Sequence, residues 1–215
     1  MVDEGHAVDV VYLDFAKAFD KVPHQRLLNK MQTLGITGKV LAWVVAWLRG
    51  RQQRVVLNGS ASSWATVDSG VPQGSVLGPT LFVIFINDID NVISIVNSFI
   101  SKFADDTKVG MNVMDDTDRH LLQQDLDNLS QWSQDWQMQF NAVKCKVLHI
   151  GRNNPGFPYT MGGYAPAGTV LEEVSEEKDV GVMVYISLKP SAQCAKAAKK
   201  ANQVIGQIAR SFHYR

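Results

Sequence analysis

Short apolar runs that end in acidic residues are the most distinctive pattern along this chain. The run Val10-Val11-Tyr12-Leu13 is too short for a helix and rich in β-branched residues, so it predicts a strand that ends at Asp14. Residues 99–104 and 107–113 predict two more strands, with the pair Asp105-Asp106 in a tight turn between them. Strands that end in aspartate can lie side by side in one sheet. The pattern therefore predicts three carboxylates at one sheet edge.

Helical spacing accounts for most of the other apolar positions. Pro23 predicts the start of one helix and Gly35 its end. Residues 39–48 predict a helix with one broad buried face, and both of its tryptophans are expected in the core; the face comprises Val40, Trp43, Val44, Trp47 and Leu48. Three further helices are predicted: one from Pro79 through residues 80–86, an amphipathic one over residues 117–137, and an alanine-rich one from Pro190 onward.

Turn residues mark a predicted hairpin. Residues 54–57 and 64–67 predict its two strands, with Asn58-Gly59 as the turn signal in a loop longer than two residues. Three other segments lack helical periodicity: two predicted short strands at residues 146–150 and 180–185, and a predicted loop at residues 153–168.

A glycine-rich segment, residues 69–79, precedes the apolar residues 80–86, which predict a helix that is buried nearly all round. A glycine-rich loop that leads to a helix N-terminus offers free N–H groups to an anion and allows a ligand to approach the backbone closely. An ordinary connecting loop is the alternative interpretation.

The composition is that of a globular protein, because 215 residues of which 46% are hydrophobic can form one substantial core. The formal net charge of zero argues against a protein that works by bulk neutralisation of phosphates. The charge is nevertheless uneven, since residues 189–215 contain no acid but several basic residues: Lys189, Lys196, Lys199, Lys200, Arg210 and Arg215. Nucleic-acid binding and a solvated helix face are both open interpretations of this segment.

Cysteine usage and apolar run length bear on the expected location. Cys145 and Cys194 are far apart and form no C-x-x-C, which favours a reduced intracellular protein without structural zinc. The longest apolar run, residues 40–48, is well short of the roughly 18 residues needed to cross a bilayer. Residues 1–6 have neither the basic nor the apolar region of a secretory signal. We therefore expect an intracellular protein, nuclear or cytoplasmic, without a membrane partner.

Three carboxylates on a rigid sheet edge would suit Mg²⁺, which few protein carboxylates bind and which is shared with substrate phosphates. Such a site can hold two ions about 3.5 to 4 Å apart, between the attacking and leaving oxygens of a phosphoryl displacement. The alternative interpretation of the acidic pair at 105–106 is an ordinary solvated turn.

Five segments, in this order, resemble the reverse transcriptases of non-LTR retrotransposons, especially jockey-like and vertebrate long interspersed elements. They are residues 12–20 (YLDFAKAFD, similar to motif A), 69–79 (SGVPQGSVLGP, motif B), 103–106 (FADD, motif C), 140–146 (FNAVKCK, motif D) and 179–182 (DVGV, motif E). The resemblance extends from about Gly5 to about Phe212. It implies an α/β (α+β) polymerase palm, in which an antiparallel sheet carries the acids and helices cover its opposite face.

The resemblance also implies roles for individual residues. Asp14 and Asp105 would be the main ligands of two Mg²⁺ ions, for which Mn²⁺ can substitute. Asp106 would be a more peripheral carboxylate and the backbone carbonyl of Phe15 a further ligand. Phe19 would be a steric gate against ribonucleotides, and Lys144 the general acid for the pyrophosphate. The incoming nucleotide and template base would be contacted by Pro72, Gln73 and Gly74. The primer 3′ end would be held by Val180, Gly181 and Val182.

The domain division implied by the resemblance is a palm at residues 1–186, with the fingers largely absent, and the start of a thumb at residues 187–215. The expected partners are an RNA template, a DNA primer, a dNTP and the missing parts of a parent polyprotein. We expect such a fragment to be weak or inactive without the missing fingers and thumb.

Three functional hypotheses remain at this stage. The first is the palm of an RNA-directed DNA polymerase, which transfers a nucleotide from dNTP to a primer 3′-hydroxyl by a two-metal mechanism. The second is a non-catalytic remnant, or nucleic-acid-binding module, that uses the basic helix. A phosphoacceptor receiver domain also uses an acidic pair, a lone aspartate and a lysine, but it has the pair before the lone aspartate.

Overall fold

The computed structural model of the chain describes residues 5–94, 98–151, 153–162 and 168–212. Its helices are α1 (His24–Thr33), α2 (Gly38–Leu48), α3 (Leu77–Ile86), α4 (Asp116–Asp135) and α5 (Ser191–Ser211), with 3-10 helices at Ala18–Lys21 and Asn87–Val92. Its strands are β1 (Val8–Leu13), β2 (Gln52–Gln53), β3 (Val56–Leu57), β4 (Ser60–Ala61), β5 (Ala65–Thr66), β6 (Ser98–Phe103), β7 (Asp106–Asn112), β8 (Lys146–Ile150), β9 (Thr160–Met161), β10 (Thr169–Val170), β11 (Glu172–Val174), β12 (Glu176–Asp179) and β13 (Val182–Tyr185).

A five-stranded sheet with the order β11-β8-β1-β7-β6 is the centre of the fold. Strand β1 lies in the middle and is antiparallel to both β7 and β8, while β6 and β7 form a hairpin. Only the edge pair β8 and β11 is parallel among these strands. The mainly antiparallel sheet, together with the helices, confirms the predicted α/β (α+β) class.

The two faces of the sheet have different coverings, because successive residues of a strand point to opposite faces. On one face Val11 and Leu13 belong to the main core, with residues of α1, α3 and α4. On the other face Val8 and Val10 form a smaller cluster with Leu148 and Ile150 of β8. Helices therefore cover one face, as predicted, and the second face carries a separate apolar patch.

The broad buried face predicted for residues 39–48 is wrong in part. Val44 and Leu48 of α2 are buried, whereas Val40 and Trp43 are 60% and 55% exposed. Trp47 is half-buried, and its ring stacks on that of Trp43 with the centroids 6.3 Å apart. Helix α2 packs mainly against α1, and a single neighbouring helix covers only a narrow stripe of its surface. Similarly, α3 is not buried all round, since Val83 is 49% exposed.

Two predicted loop lengths also need correction. Leu57 pairs with Ser60, so Asn58-Gly59 forms a two-residue turn with φ values of 49° and 81°, as a type I′ turn requires. The predicted longer loop is therefore wrong, and a second short ladder joins β2 to β5. Within the predicted loop 153–168, β9 pairs with β10, and the fully buried Tyr159 and Met161 hold this segment against the core. Residues 163–167 of that prediction lie outside the described residues.

The predicted helix starts at the C-terminal half of the chain are confirmed. Asp115 caps α4, because its Oδ1 accepts hydrogen bonds from the backbone N–H groups of Thr117 and Asp118. Helix α5 follows Pro190 directly. Among the described residues, none of these helices combines the length and the apolar character that a membrane span requires.

Candidate active site

The paired ends of β1 and β7 bring two of the predicted carboxylates together. Leu13 pairs with Thr107, so Asp14 and Asp106 are the next residues at the ends of two adjacent strands. The turn between β6 and β7 is one residue earlier than predicted: it consists of Ala104 and Asp105, while Asp106 opens β7. Ala104 adopts a left-handed conformation, with φ at 53°, to close this two-residue turn. As a result Asp106 belongs to the ladder, and Asp105 lies exposed at the hairpin tip.

Asp14 and Asp106 line a cavity of about 110 Å³ together with Lys144, Lys178 and Val180. The Nζ atom of Lys144 lies 3.9 Å from Oδ1 of Asp14, and both side chains are partly exposed. The Oδ1 atom of Asp14 is itself buried and has no hydrogen-bond partner. A buried carboxylate oxygen without a donor is rare in folded proteins and indicates room for a ligand. Asp105 is not part of the cavity wall.

Burial and neighbouring negative charges together raise the pKa values of two carboxyl groups at this edge. Burial raises the pKa of Asp14, Lys144 opposes this effect, and the charges of Asp105 and Asp106 add to it. Burial likewise raises the pKa of Asp106, helped by Asp105 and Asp179 and opposed by Lys178. Because like charges disfavour ionisation of their neighbours, a bound cation would relieve the repulsion.

The residues at this edge can supply some, but not all, of the ligands of a divalent cation. No group of three or more histidine, cysteine, aspartate or glutamate side chains is arranged to hold a metal ion by itself in the described part of the chain. Two carboxylates, Asp14 and Asp106, nevertheless face one cavity, and one of their oxygens accepts no hydrogen bond. Such a donor set suits Mg²⁺, which binds to one or two protein carboxylates and completes its coordination with water and substrate phosphates.

The backbone around Asp14 is fixed by the segment that leads into β8. The N–H of Asn141 donates to the carbonyl of Asp14 at 2.7 Å, and the N–H of Asp14 points to Sγ of Cys145 at 3.4 Å. The N–H groups of Lys144 and Cys145 both donate to the carbonyl of Asn141 and close a turn. This turn places Lys144 beside Asp14. The order of these residues along the sequence does not reveal that they are neighbours.

The two aromatic residues after Asp14 are packing residues in this structure. The ring of Phe15 is buried and stacks on Phe140 with the centroids 4.5 Å apart. The ring of Phe19 is half-buried and stacks on Phe82 of α3 at 4.7 Å. Neither ring lines the cavity between Asp14 and Asp106. The predicted roles of the Phe15 carbonyl and of Phe19 stay predictions.

The glycine-rich loop is attached to the turn that follows β1. The N–H of Gly70 donates to the carbonyl of Val22, and the hydroxyl of Ser69 donates to the carbonyl of Asp20 at 2.9 Å. A Cβ atom on Gly70 would lie 2.6 Å from that same carbonyl oxygen, so only glycine fits there. Arg51 donates to the carbonyl of Gly70 at 2.7 Å.

Arg51 thus has an anchoring role that the sequence pattern did not predict. Beyond this anchor the loop is open: Pro72 is half-buried, and Gln73 and Gly74 are exposed. These three residues do not line the cavity of Asp14 and Asp106.

Residues 180–185, predicted as one strand, form the turn and the second strand of a hairpin. Strands β12 and β13 pair through Asp179 and Val182, and the turn consists of Val180 and Gly181, with φ values of 44° and 88°. The predicted strand at 180–181 is therefore wrong, because both residues adopt left-handed turn conformations. Val180 reaches the cavity wall beside Asp14, whereas Gly181 and Val182 are exposed and lie outside that wall.

Comparison with known proteins agrees with this geometry. Residues 3–204 match the family described as reverse transcriptase (RNA-dependent DNA polymerase). The RNA-directed DNA polymerase from mobile element jockey of Drosophila funebris is 32% identical over 185 residues, which are 82% of this chain and 19% of that protein. Its Drosophila melanogaster counterpart is 35% identical over 190 residues, or 85% of this chain and 20% of that protein. The chain thus spans about a fifth of the length of these curated relatives.

A solved structure supports the fold. Apo telomerase from Candida tropicalis, truncated from its C-terminal domain, matches 86% of this chain and 35% of that chain. The TM-score is 0.55 and the sequence identity is 12%, so the likeness concerns the fold alone. Because the family match covers nearly the whole chain, this protein belongs to the reverse transcriptase family.

Proposed function

We propose that this chain is the palm of an RNA-directed DNA polymerase, which joins a deoxynucleotide to the 3′-hydroxyl of a primer on an RNA template. The observation that carries the proposal is the meeting of Asp14, Asp106 and Lys144 around one cavity, although they come from three separate parts of the sequence. A solvated acidic turn, the alternative interpretation, would not bring a carboxylate from another strand beside it.

The acidic residues are proposed to hold two Mg²⁺ ions, or Mn²⁺ in their place. Asp14, Asp105 and Asp106 would supply carboxylate oxygens, and Phe15 its backbone carbonyl. Such ions stabilise the charge on the attacking and leaving oxygens of a phosphoryl transfer. The raised pKa values of Asp14 and Asp106 support this role, because burial and, to a smaller extent, neighbouring carboxylates disfavour the ionised form, which a bound cation would favour.

Lys144 is proposed to act as the general acid that protonates the leaving pyrophosphate. Its side chain is 66% exposed, so it can move between Asp14 and a phosphate group without leaving a buried position. A lysine ammonium carries three donors and suits a phosphate oxygen as a compact charge. Proton transfer of this kind contributes about 10²- to 10⁴-fold to a rate.

The remaining assignments concern substrate positioning. Phe19 is proposed to exclude the 2′-hydroxyl of ribonucleotides, and Pro72, Gln73 and Gly74 to contact the incoming nucleotide and template base. Val180, Gly181 and Val182 are proposed to position the primer end. The parent polyprotein would supply further parts, with residues 1–186 as palm and 187–215 as the start of a thumb.

Primer extension on an RNA template tests the proposal. We expect the purified 215-residue chain alone to extend a DNA primer weakly or not at all, and to extend it with dNTPs and Mg²⁺ or Mn²⁺ when the flanking segments of a jockey relative are supplied. Asp14→Asn should abolish extension, while Asp116→Asn, a surface acid at the start of α4, should not. Extension that survives Asp14→Asn would contradict the proposed active site.

Nucleic-acid binding without catalysis is the second candidate, and helix α5 favours it. Lys196, Lys199, Lys200 and Arg210 are all exposed on this helix, which carries no acidic residue. For duplex DNA, the logarithm of the binding constant should fall with the logarithm of the salt concentration, with a slope of about −0.9 per phosphate contact. Binding should also be indifferent to Asp14→Asn. A titration of labelled RNA–DNA hybrid at several salt concentrations, alongside the extension assay, separates the two functions.

A further inference from the structure

Three residues form a row across the sheet directly behind the carboxylates. Tyr12 of β1 pairs with Lys108 of β7 on one side and with Lys146 of β8 on the other. Side chains two residues apart on a strand share a face, so Tyr12 shares the face of Asp14, and Lys108 that of Asp106. The row therefore lies one step further along the same face that carries the two carboxylates.

The hairpin β12–β13 is attached to this row by two ion pairs. Asp179 pairs with Lys108, and Oε2 of Glu177 lies 3.5 Å from Nζ of Lys146. Glu177 and Asp179 are two residues apart on β12 and so point to the same side. The Lys108 and Asp179 side chains are only 26% and 18% exposed, so their attraction is screened less than that of a surface pair.

Tyr12 lies between the two ion pairs. Burial raises the pKa of its phenol to about 12, and Asp179 and Glu177 add to the effect in that order. Tyr12 also makes apolar contacts: together with Val184 of β13 it packs against the cluster of Val8, Val10, Leu148 and Ile150. The hairpin is thus held by charge near its tip and by apolar contacts near its base.

The attachment determines where the hairpin tip lies. Asp179, the residue paired with Lys108, directly precedes the turn, and Val180 of that turn lines the cavity with Asp14 and Asp106. At the other end, the N–H of Met183 donates to Oε1 of Gln193, which connects the hairpin to α5. A change in the Lys108 and Asp179 pair would therefore act on the tip directly.

We propose that Tyr12, Lys108 and Lys146 form a seat that positions the β12–β13 hairpin over the carboxylates, and that the ion pair between Lys108 of the seat and Asp179 of the hairpin is the main positioning contact. The inference rests on the proposed polymerase function, in which the hairpin tip holds the primer end. None of the seat residues needs to touch substrate. Their effect is to hold the primer 3′-hydroxyl at the correct distance from the reacting phosphate.

Hydrogen exchange of the 215-residue chain tests the seat without requiring activity. Lys108→Glu and Asp179→Lys each replace the attraction by a repulsion, and we expect amide exchange in residues 176–185 to rise roughly 5- to 30-fold in either variant. The double variant restores the opposite charges and should restore protection. Lys102→Glu is the matched control, because Lys102 of β6 forms an ion pair with Asp90 at 2.7 Å instead. Unchanged exchange in Lys108→Glu would overturn the seat.

Steady-state primer extension then tests positioning. Each single variant should lower kcat by about 10- to 100-fold, as a misplacement of about 1 Å can, with an unchanged KM for dNTP. The double variant should recover most of kcat. Normal kcat in a variant whose hairpin exchanges fast would overturn the positioning role. Absence of extension by the wild-type chain, even with the flanking segments of a jockey relative supplied, would count against the polymerase proposal, whereas the exchange experiment judges the seat by itself.

Discussion

Lys144 and Asp14 face each other across the end of the central strand, with Nζ of the lysine 3.9 Å from Oδ1 of the aspartate. The lysine charge lowers the pKa of Asp14 and partly offsets the increase caused by burial and by Asp105 and Asp106. We therefore predict that Lys144→Met raises the pKa of Asp14 further, because the positive charge that lowers this pKa is removed. Carboxyl NMR titration of both proteins measures this change.

The control for this prediction is Lys39→Met, which removes an exposed lysine on α2. It should leave the titration of Asp14 as it is in the wild-type chain. If Lys144→Met also leaves it unchanged, the two residues do not form an ion pair in solution, and the proposed general acid loses its support.

Divalent cations should stabilise the folded protein. Burial and neighbouring carboxylates raise the pKa values of Asp14 and Asp106, so ionised carboxylates repel each other at neutral pH and a cation relieves this repulsion. At a Mg²⁺ concentration ten times its Kd, the free energy of unfolding should rise by roughly 1.4 kcal/mol. Thermal unfolding with and without Mg²⁺, or Mn²⁺, measures the effect.

Asp106→Asn should abolish the stabilisation by the cation. Without metal, the same change should make the protein more stable by a few tenths to about 1 kcal/mol, because it removes one of two like charges that lie opposite each other on adjacent strands. Asp116→Asn, remote from the cavity, should respond to Mg²⁺ like the wild-type chain. Equal stabilisation of the Asp106→Asn protein would contradict a cation at this edge.

His149, which is paired with the buried Asp9, should make the stability depend on pH. The Oδ1 atom of Asp9 lies 2.6 Å from Nδ1 of His149 and accepts from Asn154, and Oδ2 of Asp9 accepts from the hydroxyl of Tyr159 at 2.7 Å. Burial alone would lower the pKa of His149, but the hydrogen bond and charge of Asp9, with Glu173, outweigh it and raise the pKa above 6.5. The folded state therefore binds the proton more tightly than the unfolded state.

The sign of this dependence follows from the raised pKa. The contribution of His149 is complete below pH 6.5 and is lost as the pH rises through the folded-state pKa. The free energy of unfolding in urea should be lower at about pH 9 than at about pH 6 in the wild-type chain, and this difference should be smaller in His149→Gln. His120→Gln, on the exposed side of α4, should keep the wild-type dependence. A His149→Gln protein with the same pH dependence as the wild type would refute the ion pair.

The hairpin tip carries a strained residue whose replacement should stabilise it. Val180 is β-branched and adopts φ of 44°, a conformation that costs an ordinary L residue about 1–2 kcal/mol. The other two-residue turn of this type in the described chain uses Asn58 before glycine. Val180→Asn should therefore raise the free energy of unfolding by about 1 kcal/mol, since Asn-Gly is the favoured pair for such turns.

Urea unfolding measures this change, and amide exchange of residues 176–185 shows whether it is local. Val182→Asn is the matched control, because Val182 is similarly exposed but lies in the strand, where asparagine is disfavoured. An Asn at 180 that destabilises the protein would mean that the valine side chain makes contacts that outweigh the backbone strain.

Much of the fold was predictable because its signals are local. The apolar run before Asp14 predicted a strand, and the amphipathic pattern of residues 117–137 predicted a helix, since both depend on periodicity within a few residues. The order and spacing of five motifs predicted the family, which the family match confirmed. These features need no knowledge of which segments meet in space.

The sequence by itself therefore determined strands β1, β6, β7 and β8, the helices, the family and the candidate site residues. Only the tertiary structure decided which of them meet. A shift of one residue in the β6–β7 turn moved Asp106 onto the ladder and Asp105 to the tip, because a two-residue turn fixes the register. Lys108 and Asp179 are 71 residues apart, and their pairing depends on how the last hairpin packs on the sheet. Local patterns do not encode such contacts, because packing between distant segments decides them.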